Sequence, residues 1–416
     1  MRGEGAAPPV GPRAVAKLLR SRAFGPYFAG NALSASGNWF QNLAAAILVY
    51  RLTGSELLLG VLTFANFVPM LVLAPWTGSV ADRFDRRRLL LLTQPLSALV
   101  AGTLAVVTAA DVATAPLVIC LTLAAGVVAA FSVPAQMALI ASLVPPRDLT
   151  SAVALNSMTY NLARAAGPAL AGLTIATIGI AESFAVNAAT YLLFTLALCT
   201  VRPRQQERAA RGDSRLRESL RLVAREPRLL AYLLVVTAVG FASDPVNTLA
   251  PAFADEFGYA DSVSGLIVGA FGAGAVTAAF LVAGRAAGSR RRIVAALLLM
   301  GAGMVAFSLS PSLKVGFVFL FLAGIGYLSA NTAATSRLQL EVEESQRGRI
   351  MALWTVAFLG LRPIASLVDG AVASAVGVRF AGVLLALPVL ACAAGLLLAG
   401  GAPRRRSATA SPRGAP

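Results

Sequence analysis

Three charged side chains lie deep within apolar segments of the sequence, where ionised groups are rare. Arg164, Asp244 and Arg362 each fall well inside an apolar run that, at about 20 residues or more, is long enough to cross a bilayer. A guanidinium in such a position stays charged and needs an anionic partner, whereas a buried carboxylate can bind and release a proton. These residue types therefore indicate buried ion pairing, proton binding, or recognition of an anionic ligand.

Asp244 is the candidate proton-binding residue, because Asp369, the other acid in a late apolar run, is expected near the end of its helix. Proton binding at Asp244 would alternate with its pairing to an arginine, or with that arginine's binding of a substrate. The alternative is a static ion pair that holds two parts of the protein together. The sequence leaves both explanations open.

A second group of polar side chains follows one face of the first apolar run. Its members are Asn31, Ser34, Asn38 and Asn42, with Gln41 beside them. Their i, i+3, i+7, i+11 spacing places them along one side of a helix, and such a stripe does not face lipid. It either lines a water-filled cavity or hydrogen-bonds to neighbouring helices.

The composition indicates a multi-pass membrane protein. The chain has 416 residues, of which 57% are hydrophobic and 13% charged, and its mean hydropathy is +0.74. The net charge of +16 is explained by arginine-rich loops, so nucleic-acid binding is not indicated. Histidine is absent, and the sequence shows neither metal-ligand spacing nor a phosphate-binding loop. We therefore expect no metal, no cofactor and no enzymatic activity.

The chain divides into twelve apolar runs, each a predicted transmembrane helix. They span approximately residues 24–50, 56–80, 88–109, 114–138, 151–178, 183–201, 229–253, 262–284, 293–310, 313–336, 348–373 and 378–400. Lys and Arg concentrate on alternate connections, and acids such as Glu56 and Asp261 fall on the others. Because basic loops mark the cytosolic side, both termini are predicted to be cytosolic, in a protein of the bacterial inner membrane.

The two halves of the chain repeat each other. Arg86–Arg88 opens the third run and Arg290–Arg292 opens the ninth, 204 positions later; Arg164 and Arg362 are 198 positions apart. We predict two six-helix bundles within an all-α architecture. The domains are expected to be a cytosolic tail (1–22), a first bundle (23–201), a linker (202–228), a second bundle (229–400) and a disordered cytosolic tail (401–416). Within the linker, residues 214–225 are predicted to form an amphipathic helix on the membrane surface.

The stretch from Gly78 to Arg88, GSVADRFDRRR, is predicted to be a tight turn at the cytosolic surface. It resembles the loop between helices 2 and 3 of the major facilitator superfamily. The matching residues are Gly78, Asp82, Arg83, Arg86 and Arg87. Stretches 132–145, 155–172 and 347–353 also resemble the branch of enterobactin exporters and macrolide-efflux proteins.

The resemblance implies the major facilitator fold, in which two bundles rock about a central site. Helix 1 lines the central path in that fold, which favours the cavity explanation for the polar stripe. The resemblance also implies a latch, in which Asp82 docks against the start of helix 11 near Gly348 and Arg349. A purely topogenic arginine cluster is the alternative.

Gly167, Pro168 and Gly172 partly match a helix 5 motif that is associated with antiporters, which favours export. We accordingly expect a monomeric proton antiporter, surrounded by lipid, that exports a small organic molecule such as a siderophore, drug or secondary metabolite. Two arginines opposed to one acid favour an anionic or polar cargo. The alternatives are an uncoupled facilitator or importer, and a membrane scaffold that does not transport.

Overall fold

The computed structural model describes residues 12–203, 221, 223, 226–282 and 289–401. These residues are helical almost throughout, and no strand occurs among them. The first half contains α1 (Pro12–Leu19), α2 (Phe24–Thr53), α3 (Glu56–Arg83), α4 (Arg86–Ala109), α5 (Ala115–Leu143), α6 (Leu149–Thr177) and α7 (Ile180–Thr200). The second half contains α8 (Pro227–Thr248), α9 (Ala250–Glu256), α10 (Ser264–Val282), α11 (Arg290–Ser308), α12 (Leu313–Leu340), α13 (Glu344–Thr355), a π-helical turn (Val356–Gly360), α14 (Arg362–Val376) and α15 (Val378–Gly401).

By length and composition, ten segments of the described chain can cross a membrane. The helix α2 is equally long, but its polar stripe lowers its hydropathy; in α6 the apolar segment is Ala166–Thr177. Each of the twelve predicted runs corresponds to a long helix when α13, the π turn and α14 are counted together. The prediction of an all-α membrane protein is confirmed, and the structure is consistent with twelve spans.

The structure bears on the predicted N-terminal tail but hardly on the predicted linker helix. Pro12–Leu19, within the predicted N-terminal tail, forms the helix α1, and its Leu18 is buried against the first bundle. The predicted linker helix at 214–225 falls almost wholly outside the described residues, and so does the tail after Gly401. The domain boundaries therefore stay predictions.

The prediction of a tight turn over Gly78–Arg88 was wrong for its first six residues. Helix α3 continues to Arg83, and only Phe84 and Asp85 separate it from α4. The short connection is possible because Asp85 caps α4: the backbone N–H of Arg88 donates to its carboxylate at 2.7 Å. Ser289, 204 positions later, caps α11 in the same way through the N–H of Arg292 at 3.4 Å.

The arginines that follow these caps bind the C-terminal ends of neighbouring helices. Arg86 donates to the carbonyl oxygen of Ala138 in α5 at 3.1 Å, and Arg87 donates to those of Leu198 and Cys199 in α7 at 2.9 Å. In the second half, Arg290 donates to the carbonyl of Leu396. Cations near a helix C-terminus satisfy its last carbonyls and oppose its dipole. The sequence repeat is thus also a repeated contact.

The bundle has two chemically different ends. One, here called the acidic end, carries Glu56, Asp111, Glu182, Asp255, Glu256 and Asp261. The other, the basic end, carries Arg86–Arg88 and Arg290–Arg292. The two halves, α2–α7 and α8–α15, meet mainly where α3 packs on α14 and where α6 packs on α10.

Both of these helix pairs cross at glycines near the acidic end. A Cβ atom on Gly370 would lie 3.0 Å from the Cα of Gly60, and one on Gly172 would lie 3.0 Å from the Cα of Gly265. Gly172 and Gly370 are 198 positions apart, the same interval as Arg164 and Arg362. The two crossings are therefore equivalent under the internal repeat, and they bring the helix backbones into direct contact.

Polar contacts join the halves at the same end. Arg51, at the end of α2, pairs with Asp261 through both carboxylate oxygens, and the Tyr50 hydroxyl donates to Asp255 at 3.1 Å. In the structure described here the halves are thus closed against each other at the acidic end.

We predict that Gly370→Ala opens this end, because the added methyl group forces α3 and α14 apart. Overpacking of this kind should destabilise the closed arrangement by about 1–3 kcal/mol. The change is measurable as a longer distance between spin labels at the acidic ends of α3 and α14. Gly102→Ala in α4 is the matched control, since a Cβ there meets no heavy atom within 4 Å. A Gly370→Ala protein with the wild-type distance distribution would contradict the prediction.

Candidate functional site

The structure brings Asp244 and Arg362 together. Asp244 lies in α8, the side chain is 1% exposed, and one carboxylate oxygen accepts a hydrogen bond from Nε of Arg362 at 2.9 Å. The other oxygen accepts from the hydroxyl of Thr248, one turn later in α8, at 3.1 Å. Both carboxylate oxygens therefore have a partner, as a buried charge requires.

A break in the eleventh spanning segment positions Arg362. The π turn Val356–Gly360 interrupts the helix, and α14 restarts with Arg362 and Pro363 as its first residues. Proline is tolerated there because the first-turn N–H groups have no partner within a helix. The hydroxyl of Thr237 in α8 donates to the carbonyl of Ala357 at 3.3 Å and supports the interrupted backbone. Breaks of this kind are frequent at functional sites.

The ion pair touches the other half of the molecule through an aromatic ring. The guanidinium carbon of Arg362 lies 4.5 Å from the ring centre of Phe67 in α3. A cation over an aromatic face is attracted by the ring quadrupole, most strongly where water is excluded. The Arg362 side chain is 21% exposed, whereas that of Asp244 is buried.

Asp369 belongs to the same cluster, which the sequence did not predict. Its side chain is fully buried, and no described N–H or hydroxyl group donates a hydrogen bond to its carboxylate oxygens. Its charge interacts with those of Asp244 and Arg362. Asp369 lies beside Gly370 near the acidic end, in keeping with the expected position, but its exclusion from the candidate site was wrong. The signal was present: Arg362 and Asp369 are seven residues apart, about two turns, and so share a helix face.

Arg164 cannot be added to this cluster. Its backbone lies in α6, but its side chain is outside the described part of the structure. The balance of two arginines against one acid, from which an anionic cargo was expected, changes because Asp369 is a second acid, and it stays a prediction for Arg164. Among described side chains the site contains two acids, Asp244 and Asp369, and one arginine, Arg362.

The polar stripe of α2 hydrogen-bonds to its neighbours in the first half. Asn31 donates to Asn156 of α6 at 2.9 Å, and Gln41 accepts from Asn187 of α7 at 2.8 Å. Its other two contacts are Asn66 of α3 donating to Asn42 at 3.4 Å, and the Tyr191 hydroxyl of α7 donating to Asn38.

Exposure divides these residues further. Ser34 and Gln41 are buried and serve packing, whereas Asn38 and Asn42 remain exposed despite their hydrogen bonds. Part of the stripe therefore joins helices, and the cavity role stays a prediction for its exposed members.

The helix 5 motif lies at the contacts of α6. A Cβ on Gly167 would lie 2.8 Å from the Trp39 ring of α2, and the carbonyl oxygen of Pro168 packs directly against Gly265. Gly172 forms the crossing with Gly265 described above. These small residues let α6 approach both α2 and the opposite half.

The central residues of the predicted latch lie outside the part of the structure whose side chains are described. They are Asp82 and Arg83 on one side and Arg349 on the other, with the neighbouring Gly78 and Gly348. Arg86 and Arg87 bind carbonyls of their own half. No group of three or more metal-ligating side chains occurs in the described part of the chain.

We predict that Arg362→Gln lowers stability, because Asp244 and Asp369 then share a buried site without a cation. Breaking a buried pair costs about 3–5 kcal/mol. The loss should shrink as the pH falls, since protonation removes the uncompensated charge. Thermal unfolding in detergent at neutral and acidic pH measures both effects.

The control for this prediction is Glu256→Gln, which breaks the half-exposed pair between Arg379 and Glu256 and should cost about 0–1 kcal/mol. Equal losses in the two variants, or a loss in Arg362→Gln that is independent of pH, would contradict the buried-charge argument.

The sequence of the chain is similar to those of known membrane transport proteins. Residues 14–411 match the model of a family described as transmembrane secretion effector. The staphyloferrin A transporter of Staphylococcus aureus is 31% identical over 175 residues, which cover 42% of this chain and 44% of that protein. The multidrug efflux pump Tap of Mycolicibacterium fortuitum is 26% identical, covering 85% of this chain and 90% of Tap. Macrolide efflux protein A of Streptococcus pyogenes is 22% identical, covering 85% and 89%.

Solved structures share the fold at low identity. A bacterial homologue of the human lysosomal transporter Spinster, in an inward-facing and unoccupied conformation, superimposes with a TM-score of 0.72 at 16% identity, covering 93% of this chain and 97% of that one. The nucleoside transporter NupG gives 0.68 at 13%, covering 91% and 98%. The family match over nearly the whole chain, together with this fold, shows that the protein belongs to the transmembrane secretion effector family of the major facilitator superfamily.

Proposed function

We propose that the protein exports a small organic molecule across the bacterial cytoplasmic membrane in exchange for protons, by alternating access. Export is supported by the family and by relatives whose names denote efflux of drugs or macrolides and transport of staphyloferrin A. The observation that carries proton coupling is the buried Asp244–Arg362 pair, placed beside Phe67 where the two halves meet. Buried ionisable groups of this kind mark ion pathways in membrane proteins.

The orientation follows from charge. The basic end is assigned to the cytosol, with both termini on that side, because Lys and Arg are retained there during insertion. The acidic end then faces outwards, and the glycine crossings and the Arg51–Asp261 pair close the external side in the conformation described. Export requires these contacts to separate once per cycle.

The ion pair supplies the coupling. When Asp244 binds a proton it loses its charge, and the hydrogen bond from Arg362 weakens. Arg362 can then engage the cargo or shift against Phe67, which lies on the opposite half. When cargo has left, loss of the proton restores the pair. Proton occupancy thus changes a contact that lies at the junction of the halves.

A static pair that holds the halves together is less well supported. Asp244 and Arg362 both belong to the second half, in α8 and α14, so their bond does not cross the junction. An uncoupled facilitator keeps the same fold and differs only in that Asp244 would not titrate during transport. Transport by the Asp244→Asn variant, described next, distinguishes a proton-coupled exporter from an uncoupled facilitator.

We predict that Asp244→Asn abolishes accumulation of cargo against its gradient but leaves downhill exchange. Asparagine keeps the size of the side chain and cannot carry a proton. Proteoliposomes with an imposed pH gradient measure this, with a macrolide and staphyloferrin A as the cargo probes. The control is Asp111→Asn, an exposed loop position with φ 55° that asparagine tolerates. Uphill transport by Asp244→Asn would refute the coupling role.

The latch is a separate part of the proposal. If Asp82, in the last turn of α3, docks against the other half, Asp82→Asn should lower the transport rate at unchanged expression, because the charge that binds the helix N-terminus is lost. Transport rates in the same vesicles, normalised to the amount of protein in the membrane, measure the effect. A wild-type rate would refute the latch and leave the arginines with topogenic and helix-capping roles.

A further inference from the structure

We propose that Asp369 is a proton-carrying residue of this transporter, loaded from the acidic end when the halves separate there and placed before Asp244 on the proton path. The inference rests on the proposed proton antiport and names a residue in it. Two observations carry it: Asp369 is fully buried with no described N–H or hydroxyl group donating to its carboxylate oxygens, and its carboxylate lies beside that of Asp244, which is bonded to Arg362.

Among the described side chains, the charges that act on Asp369 are one acid and one arginine, and that arginine is bonded to the acid. From α8 Asp369 faces Asp244, and from its own helix α14 it faces Arg362, whose Nε is bonded to Asp244. The described charged residue of α3 is Glu56, and the charged residue of α15, Arg379, is paired with Glu256. One guanidinium does not compensate two carboxylates in an apolar site. A proton on Asp369 makes the cluster neutral.

The position of Asp369 explains how its carboxyl group can gain access to solvent at the acidic end. It directly precedes Gly370, whose backbone packs against Gly60 of α3 at the crossing between the halves. While the crossing is closed, Asp369 is sealed from solvent. On the proposed route, separation of α3 from α14 opens the contact at Gly370, directly beside Asp369, and gives the acid access to the acidic end.

Transfer onwards follows the face of α14. Arg362 lies seven residues before Asp369, about 10 Å along the helix towards the basic end, and its side chain is partly exposed. A proton leaves a carboxyl oxygen of Asp369 and binds a carboxylate oxygen of Asp244. Asp369 becomes the anion, and the guanidinium of Arg362 turns from Asp244 to Asp369. Release of the proton from Asp244 to the basic end lets Arg362 return to Asp244. A new proton from the acidic end then reloads Asp369 and restores the starting state.

Infrared difference spectra of the full-length protein in lipid nanodiscs test the proton directly, without any cargo. The wild type with carbon-13-labelled aspartate should show a carbonyl band of a protonated carboxylic acid at neutral pH. Asp369→Asn should lose this band, and the surface control Asp111→Asn should keep it. Asp244→Asn should weaken the band, because Arg362 then has Asp369 alone to compensate. An unchanged band in Asp369→Asn, or no such band in the wild type, would overturn the proposal.

The exchange of the same band in heavy water tests access and does not require any change to Asp369. Exchange should be slow in the wild type and about tenfold faster in Gly370→Ala, in keeping with the overpacking penalty at the crossing. Gly102→Ala should exchange at the wild-type rate. Equal rates in all three proteins would overturn the loading route.

Transport separates this inference from the proposed function. Proteoliposomes with an imposed pH gradient and a macrolide probe should show no uphill transport for Asp369→Asn and partial transport for Asp369→Glu. A structural role predicts the reverse order, because asparagine matches the shape of aspartate and glutamate overfills the site. If Asp244→Asn also pumps uphill, the antiport scheme fails; if only Asp369→Asn pumps uphill, the scheme stands and this inference fails.

Discussion

A charge inside an apolar bilayer needs a compensating partner, and this constraint organises the second half of the molecule. Arg362 meets it by bonding to Asp244, which is also bonded by Thr248. The pair forms at a break in the eleventh spanning segment, where α14 restarts at Arg362 after a π turn. The break in turn sets the register of α14, which places Asp369 in the same cluster and Gly370 at the contact with α3.

The glycine crossings form a junction between the two halves that can open. Without side chains between them, α3 and α14 touch through their backbones, and α6 and α10 do the same at the equivalent place. Contacts of this kind depend on close approach, so a small separation removes them. Because the buried cluster lies next to one crossing, charge in the cluster and closure of the acidic end involve the same helix.

The internal repeat shows which features both halves share. The caps at Asp85 and Ser289, and the arginine contacts that follow them, occur in both halves at the basic end. The charged cluster around Arg362 was found in the second half, whereas the first half contains a network of amide and hydroxyl groups around Gln41 and Asn187. In the described residues, packing follows the repeat and the observed ion chemistry does not.

The sequence alone determined the fold class, the helix runs and the repeat. Apolar runs long enough to cross the membrane alternate with charged loops, and this pattern can be recognised without knowing which segments contact each other. It also singled out Asp244 and Arg362, since isolated charges in apolar runs are costly. Only the tertiary structure decided that these two residues meet, that Asp369 joins them, and that Gly60 packs on Gly370. The physical reason is that such contacts depend on helix rotation and on the break at Val356–Gly360, which are set by packing between segments over a hundred residues apart.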